Sequence, residues 1–358
     1  MSDEAPVIVR VERGVGRLTL NRPKALHALT TTMCREMITA LLAWRDDAAV
    51  RAVLLDSAPP RGFCAGGDIR ALSSAQDDGG AAAREFFRVE YRLNTLLYDF
   101  PKPTVALMDG VVMGGGVGIS APCRLRVATE RTTFAMPETA IGLFPDVGGG
   151  WWLPRLPGKT GLWLALTGAR LKAADMLLLG LATDYVESDK LPELVDRILA
   201  DPAALETALT AAESGPGQPG LAKHTGSIDS LFAGESVAAI LQALDADGGE
   251  WASAQAALLR RMSPQALAVT FRQLQLGAEA QSFAEEMARE YDLAGNVVMQ
   301  PDMAEGVRAL LVDKDNAPRW SPPSLSQVAP ALVDGLFAPR EGDHWTPLPS
   351  NARTGDDA

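Results

Sequence analysis

The sequence predicts an α/β protein: a parallel sheet with crossover helices, followed by a helical C-terminal region. Three observations support this class. In the first half, short β-branched runs alternate with segments whose apolar residues recur at helical spacing. Two of these runs lead into glycine-rich turns that precede helical patterns, and this strand, turn and helix order is typical of parallel sheets. After about residue 189, only helical patterns remain.

The chain is predicted to begin with a hairpin. Residues 7–13 and 16–21 alternate in polarity and contain β-branched side chains, and Arg13-Gly14 between them suits a tight turn. A helix is expected over 30–43, where apolar residues recur every three or four positions behind a run of threonines able to cap it. The apolar run 51–56 is then a buried strand.

The same order of elements follows once more. The first strand leads into a glycine-rich turn at 62–68 and a helix at 84–98. A strand at 103–108 leads into a second glycine-rich segment at 110–118, and another strand is expected at 124–128. Both glycine segments therefore lie where parallel strands end and helices begin.

The region after residue 189 is predicted to be helical. It starts with an Ala/Leu-rich helical segment at 191–212 and a breaker-rich linker at 214–220. Further helices are expected at 237–244, 249–261, 264–276, 283–298 and 303–312. Beyond about residue 321 the chain is rich in Pro, Ser and Asp, and a loose tail is expected.

Composition excludes several classes of protein. A hydrophobic fraction of 47% with 22% charged residues argues against wholesale disorder. The net charge of −12, with no Lys/Arg cluster, argues against a nucleic-acid partner. No apolar run is long enough for a membrane span, and the chain is expected to work without a membrane. The three cysteines lack the spacing of a metal site, and with no signal pattern at the start they favour the cytoplasm.

The sequence contains only three histidines, all far apart. No metal site is expected, and acid–base chemistry would have to use carboxylates. Two candidates, Glu138 and Asp146, lie eight positions apart in the apolar, glycine-rich run MPETAIGLFPDVGGGWW. Each alone is also explained as an acid that begins a helix or turn. Together, in surroundings that should raise the pKa of at least one of them, they are better explained as a working pair.

Glu90 is a third candidate acid. On the predicted helix it shares a face with Phe86, Leu93 and Leu97, and it is the only charge on that apolar stripe. One explanation is that Glu90 lies at the edge of the stripe and reaches water. The other is that it faces a cleft and contacts a substrate hydroxyl.

The two glycine turns are candidates for an oxyanion hole. Gly67 and Gly115 are 48 residues apart, and each lies between a predicted strand and a predicted helix. Backbone N–H groups at such turns have no partner within the helix, and two that converge stabilise a developing oxyanion. Purely structural turns would produce the same pattern, so this observation leaves both alternatives open.

These motifs resemble those of the crotonase (enoyl-CoA hydratase/isomerase) superfamily. RGFCAGGDI (61–69) and DGVVMGGG (109–116) are similar to its two oxyanion-hole segments, and NRPKAL (21–26) to its N-terminal motif. The resemblance is more specific to its 3-hydroxyisobutyryl-CoA hydrolase branch. The runs that carry this are GGGVGIS (114–120), VATE (127–130), FAMPETAIGLFPDVGG (134–149), FAGES (232–236), MSP (262–264), VTFR (269–272), EGVR (305–308) and DKD (313–315).

The resemblance implies the architecture and the role of each residue. It implies a crotonase-like spiral of ββα units over 6–200, a helical C-terminal region over 201–325 and a loosely structured tail over 326–358. By resemblance Glu138 is the catalytic carboxylate with Asp146 as its partner, Gly67 and Gly115 are the oxyanion donors, and Gly115 also contacts substrate with Glu138 and Asp146. Glu90 matches a substrate-contacting glutamate.

One position separates the branches of the superfamily. Hydratases have a second catalytic glutamate at the position of Gly118, and here that acid is missing. The resemblance therefore implies hydrolysis of a short 3-hydroxyacyl-CoA thioester, as in valine degradation. The alternatives are an enoyl-CoA hydratase or isomerase acting through Glu138 alone, and an acyl-CoA-binding protein without turnover.

The resemblance also implies the ligands and partners. Coenzyme A would be part of the substrate, with no cofactor and no metal, and its phosphates would meet Arg22, Lys24 or Arg70. A homo-oligomer is compatible with the resemblance, since many relatives form trimers or hexamers.

Overall fold

The computed structural model describes residues 5–60, 62–68, 78–203, 205–212 and 215–349. Its main sheet has six strands in the order β1-β2-β3-β4-β6-β8, and the first pair is antiparallel while the others are parallel. A second, parallel sheet pairs β5 with β7. The strands are β1 (Val7–Glu12), β2 (Val15–Leu20), β3 (Ala52–Ser57), β4 (Thr104–Met108), β5 (Val111–Met113), β6 (Leu125–Ala128), β7 (Thr133–Ala135) and β8 (Asp184–Tyr185).

The first half contains the five predicted strands in the predicted order, and the short strands β5, β7 and β8 in addition. The hairpin closes at Arg13, which has a positive φ of 50°, and the central strand β4 is buried along its whole length. Apolar runs of this kind are typical of parallel strands covered on both faces. The helices here are α1 (Thr31–Asp46), α2 (Ala81–Tyr98), α3 (Gly115–Ser120), α4 (Gly149–Trp152), α5 (Thr160–Thr167) and α6 (Ala173–Leu178).

Helix α1 shows how the local sequence produces these elements. The Thr30 side chain caps its first turn by accepting a hydrogen bond from Met33 N at 3.3 Å. Met33, Met37 and Leu41 then recur on one face, and all three are buried. The predicted helix at 30–43 is therefore confirmed, with three more residues at its end.

The second half is helical, as predicted, but more finely divided. The segment expected as one helical stretch at 191–212 is two helices, which separate at Asp201 and Pro202. The helices are α7 (Leu191–Ala200), α8 (Leu205–Ala212), α9 (Thr225–Leu231), α10 (Val237–Asp247), α11 (Glu250–Leu259), α12 (Pro264–Glu279), α13 (Phe283–Val297), α14 (Pro301–Val307) and α15 (Pro330–Leu336). A single π-turn, Arg308–Val312, continues α14.

The C-terminal helices pack back onto the first half. Helix α13 contacts α2, helix α12 contacts α4 and α5, and α14 contacts the short turn that begins at Glu138. One continuous hydrophobic core includes residues from α1, α2, α12 and α13. The C-terminal region therefore takes part in positioning the segment that carries the candidate acids.

The tail differs from the loose segment expected over 326–358, as far as the structure describes it. Helix α15 lies within it, and Trp345 is buried and donates a hydrogen bond to Arg88 O at 3.2 Å. Asp343 accepts a hydrogen bond from Tyr291 Oη at 2.8 Å and pairs with Arg84 at 3.0 Å. A Pro- and Ser-rich composition did not reveal these contacts because they join residues far apart in sequence.

None of the helices in the described residues combines the length and the apolar character that a membrane span requires.

Candidate active site

A cavity of about 260 Å³ lies where the two glycine segments meet the acidic run. Its lining includes every residue proposed from sequence for catalysis, for the oxyanion hole or for contact with the acyl group: Gly67, Gly115, Glu90, Glu138 and Asp146. Its other lining residues are apolar or glycine: Ala65, Gly66, Phe86, Phe87, Met113, Gly114, Pro137, Ile141, Leu143, Leu310 and Leu311. The last two come from the π-turn of the C-terminal half, which the sequence had not assigned to the site.

The two glycine segments are held side by side by backbone hydrogen bonds. Leu29 N donates to Gly66 O at 2.8 Å, and Asp68 N donates to Leu29 O at 2.8 Å, which anchors the first segment to the chain before α1. Met113 N donates to Cys64 O at 3.0 Å, which joins the first segment to the second. The predicted strand-to-helix turns are therefore adjacent in space.

Glycine is required at Gly115 because its surroundings leave no room for a side chain. A Cβ there would collide with Glu90 Oε1 and would lie 3.2 Å from Gly67 N and 3.1 Å from Leu29 Cδ1. The amide nitrogen of Gly67 thus lies directly against the first residue of α3. The amide of Gly115 is itself the first of that helix and has no acceptor within it. The two proposed oxyanion donors therefore lie next to each other.

Glu90 faces the cavity rather than water. Its residue is 2% exposed, and its Oε1 is buried with no hydrogen-bond partner among the described residues. Of the two explanations left open by the sequence, the structure supports the cleft-facing one. A buried carboxyl without a partner is costly, and such groups are found where a ligand supplies the missing contact.

Glu138 and Asp146 reach the same cavity from two points of one segment. Glu138 begins a 3₁₀ turn, Glu138–Ile141, and its Oε1 lies 3.0 Å from the position a Cβ at Gly114 would take. Its Oε2 is buried without a partner among the described residues. Asp146 Oδ2 accepts a hydrogen bond from Tyr91 Oη at 2.8 Å.

Burial raises the pKa of all three acids, and repulsion by neighbouring carboxylates adds to the rise at Glu90 and Glu138. Burial raises the pKa of Glu90 and of Glu138 well above the ordinary value, and the charge of Asp146 raises both further. The pKa of Asp146 is raised to about 6, also by burial, while the hydrogen bond from Tyr91 opposes the rise. The three carboxyl groups therefore cannot all ionise easily.

The structure also explains why Gly118 cannot bear the second acid of a hydratase. A Cβ at Gly118 would lie 2.6 Å from Val147 Cβ and 2.9 Å from Asn94 Nδ2. Val147 directly follows Asp146, so the segment that brings Asp146 into the cavity also fills the space beside Gly118. The segment that carries Asp146 therefore leaves no room for a side chain at position 118.

Tyr91 is a site residue that sequence reasoning missed. It is fully buried one position after Glu90, and it donates to Asp146 across 55 residues of sequence. On a helical pattern it reads only as an aromatic core residue. A tyrosine on a buried helical face needs an acceptor for its hydroxyl. This requirement is the only feature of the sequence that could have indicated a polar partner for Tyr91.

Two of the three residues proposed to meet CoA phosphates lie within the described residues: Lys24 is exposed and Arg22 is half-buried. Arg22 is engaged within the fold, because its guanidinium pairs with Asp68 at 2.9 Å and donates to Ala28 O. Arg70 lies outside the described residues, as do Arg61 and Ile69 at the ends of the first glycine motif. Among the described residues, no group of three or more His, Cys, Asp or Glu side chains is arranged to hold a metal ion.

Comparison with known families agrees with this geometry. The family model described as "Enoyl-CoA hydratase/isomerase" matches residues 15–337. Curated relatives named "3-hydroxyisobutyryl-CoA hydrolase, mitochondrial" include the Gallus gallus protein, 44% identical over 344 residues, 94% of this chain and 89% of the relative. The Homo sapiens protein of the same name is 42% identical over 346 residues, with the same two shares.

Solved structures give a close match with different names. A protein titled carnitinyl-CoA dehydratase, from Mycobacterium thermoresistibile, has a TM-score of 0.91 and 44% identity, over 95% of this chain and 98% of that one. A protein titled enoyl-CoA hydratase, from Rhodobacter sphaeroides 2.4.1, has a TM-score of 0.89 and 40% identity, over 96% of this chain and 100% of that one. The predicted crotonase-like α/β fold is confirmed.

The prediction of a cytoplasmic location is wrong by the same comparison, because the curated relatives are named mitochondrial. The error came from the spacing of the three cysteines and from the missing signal pattern at the start of the chain. Reduced thiols indicate a reducing environment and do not identify the compartment.

Proposed function

The chain belongs to the enoyl-CoA hydratase/isomerase family, and on that premise we propose that it hydrolyses 3-hydroxyisobutyryl-CoA to the free acid and CoA. The relatives named for this hydrolase support it. The structural observation that carries the proposal is the pairing of Glu138 with Asp146 in one cavity, beside two glycine amides and with position 118 closed. Coenzyme A is then part of the substrate rather than a cofactor. The proposed reaction belongs to valine catabolism.

The amides of Gly67 and Gly115 would bind the thioester oxygen. As the carbonyl carbon becomes tetrahedral, negative charge develops on that oxygen, and two preorganised N–H donors stabilise it. The cavity is lined mainly by apolar side chains. Little water competes there for the donors, so each hydrogen bond stabilises the transition state more than it would in solution.

Glu138 would act in one of two ways. As a nucleophile, its carboxylate attacks the carbonyl carbon, the C–S bond breaks, CoA leaves as the thiol, and water hydrolyses the mixed anhydride. As a general base, it takes a proton from the water that attacks. In either case Asp146, which lines the same cavity, would orient water or exchange a proton with Glu138. A single turnover in oxygen-18 water separates the routes, because only the covalent route places label in Glu138.

Glu90 would select for the hydroxyl group of the acyl chain. Its unpartnered Oε1 lies against Gly115, so it would accept a hydrogen bond from a 3-hydroxyl of a substrate bound there. A plain acyl chain has no hydroxyl and would leave this buried acid without a partner. Such a loss favours hydroxyacyl substrates strongly over plain acyl substrates.

The experiment that tests the proposal measures thiol release from a panel of short acyl-CoAs, including 3-hydroxyisobutyryl, 3-hydroxypropionyl, isobutyryl and crotonyl thioesters. The proposal expects turnover of the hydroxyacyl substrates and little of the others. Tight binding of hydroxyacyl-CoA with no thiol release would support a binding protein without turnover instead.

A second candidate is hydration or dehydration, because the two solved relatives carry names of that kind. The crowding at Gly118 argues against a mechanism that needs an acid there. Gly118→Glu is therefore expected not to create hydratase activity, measured as loss of enoyl absorbance, and to destabilise the fold by about 1–3 kcal/mol through overpacking. The control is Gly335→Glu, because nothing lies within 4 Å of a Cβ at that exposed glycine. Loss of enoyl absorbance with crotonyl-CoA in the parent protein would favour the second candidate, whereas gain of hydration in Gly118→Glu without loss of stability would contradict the argument from crowding.

The hydrogen bond from Tyr91 makes a prediction about pH. Glu138 and Asp146 titrate as an interacting pair with raised pKa values, that of Asp146 about 6, so kcat/KM should decline as the pH falls and the pair takes up protons. Since the bond from Tyr91 lowers the pKa of Asp146, Tyr91→Phe removes a lowering influence and moves this decline to higher pH. The measurement is the pH profile of kcat/KM, with Tyr98→Phe on the same helix as the control. An unchanged profile in Tyr91→Phe would contradict the prediction.

A further inference from the structure

The segment after Asp146 contains a conformation that needs an explanation. Val147 has a positive φ of 52°, followed by Gly148 at 89°. For a β-branched residue the left-handed region is strained, and such residues persist only where the surroundings hold them in place. Val147 is also 1% exposed, with its side chain against Gly118. Whatever holds this strained residue also determines where Asp146 points.

Two side chains of the C-terminal helices hold the segment. Glu290 on α13 accepts a hydrogen bond from Gly148 N at 2.7 Å through Oε2 and one from Gly150 N at 2.9 Å through Oε1. Gln273 on α12 donates to Pro145 O at 2.9 Å and to Glu290 Oε1 at 3.1 Å. The contacts therefore fall on both sides of the strained residue.

A glutamate is an unusual residue for a contact that only stabilises the fold, as the bonds from Glu290 to Gly148 and Gly150 would then do. It is fully buried, and among the described residues it forms no ion pair with a lysine or arginine. Burying an acid without a cation costs stability, so a neutral side chain would serve a packing role better. What a neutral amide lacks is a second acceptor oxygen, because Gln has one oxygen and an NH₂ group. Here each of the two backbone donors is bonded to a different oxygen of the Glu290 carboxyl group.

We propose that Glu290, supported by Gln273, is a positioning residue for the reaction: by accepting from both amides it keeps Val147 strained and directs Asp146 into the cavity. The inference rests on the proposed function, since it assigns Asp146 a part in hydrolysis. The inference also gives the C-terminal helices control over the geometry of the reaction, although Glu290 on α13 does not line the cavity.

The test is Glu290→Gln, in which an NH₂ group must face one of the two amides. A displacement of about 1 Å far from the reacting atoms can cost about 100-fold in rate, so kcat is expected to fall by about 10- to 100-fold. The KM should stay within about threefold, because Glu290 does not contact the substrate cavity. The matched control is Glu286→Gln, one turn earlier on α13. Glu286 is also buried, and among the described residues it pairs with Arg289 and accepts no bond from the segment's amides.

A second measurement does not depend on activity. Hydrogen exchange of the peptide that contains Gly148 and Gly150 should accelerate in Glu290→Gln and stay slow in the control, with a peptide from α1 unchanged in both. If the parent releases no CoA from any thioester, the proposed function fails. The exchange result still tests whether Glu290 holds the segment that contains Gly148 and Gly150.

Three results would overturn the inference: an unchanged kcat in a folded Glu290→Gln protein, equal losses in Glu286→Gln, or unchanged exchange at the segment. Should Glu290→Gln not fold, Gln273→Leu removes the bond to Pro145 O and leaves Glu290 in place. Gln273→Leu is expected to lower kcat by about 3- to 10-fold with little change in KM. An unchanged kcat would count against the positioning role of Glu290 and Gln273.

Discussion

Glu138→Gln is expected to reduce kcat for thioester hydrolysis by at least about 1,000-fold, the largest effect of any single change in this protein. The amide has nearly the shape of the acid, but it is neither a nucleophile nor a base at neutral pH. Binding should persist because the amides of Gly67 and Gly115 remain. The measurement is single-turnover and steady-state thiol release, with KM expected to change by less than about tenfold.

The same substitution is expected to leave the fold as stable as before or to stabilise it. The pKa of Glu138 is raised in the folded state, so the folded protein holds this proton more tightly than the unfolded chain. Stability from such a group is fully present at low pH and is lost as the pH rises through the folded pKa. A neutral Gln removes that loss, so thermal unfolding near neutral pH should occur at an equal or higher temperature, as is common at active sites.

Glu130→Gln is the matched control for Glu138→Gln. Glu130 lies eight residues earlier, is exposed, and accepts hydrogen bonds from Ser188. It changes the net charge equally without touching the cavity, so activity should be retained. If Glu138→Gln kept more than about a tenth of the parent rate, Glu138 would have neither proposed role.

Gly115→Ala is expected to lower kcat by about 100- to 1,000-fold, equivalent to about 3–4 kcal/mol of transition-state stabilisation. The added Cβ would collide with Glu90 Oε1 and press on Gly67 N, which lies 3.2 Å from its position. Both proposed oxyanion donors and the proposed hydroxyl acceptor would therefore be displaced by one methyl group. The loss should appear in kcat and in kcat/KM, because the donors act mainly on the charge that develops in the transition state.

Gly226→Ala is the control for this change. Gly226 lies in helix α9, and a Cβ there meets nothing within 4 Å. Activity should be unaffected, and helix propensity alone favours alanine. Parent-like rates in Gly115→Ala would mean that the thioester oxygen binds elsewhere, and the proposed mechanism would lose its oxyanion hole.

Much of the site could be predicted from sequence because its main features are local. Glycine at Gly67 and Gly115 indicated close backbone approach, and Glu90 interrupted an apolar helical face. Glu138 and Asp146 stood out as acids among apolar neighbours. Each of these signals arises from a residue type that conflicts with its immediate surroundings, and such conflicts are typical of functional sites.

Other residues of the site have no such signal. Tyr91 and Glu290 lie on ordinary amphipathic helices, and their partners are 55 and 142 residues away. The positive φ of Val147 is equally invisible, because nothing in its own residue type favours that conformation.

The sequence by itself determined strands β1 to β4 and β6, the glycine turns and the acidic run, because periodicity, turn chemistry and charge depend on neighbouring residues. Only the tertiary structure decided that three acids share one cavity and that Val147 closes the space beside Gly118. It also decided that Glu290 bonds to the amides of Gly148 and Gly150. The physical reason is that burial and hydrogen bonding act through space. A carboxyl group acquires its raised pKa and its direction from groups that folding brings to it, wherever they lie along the chain.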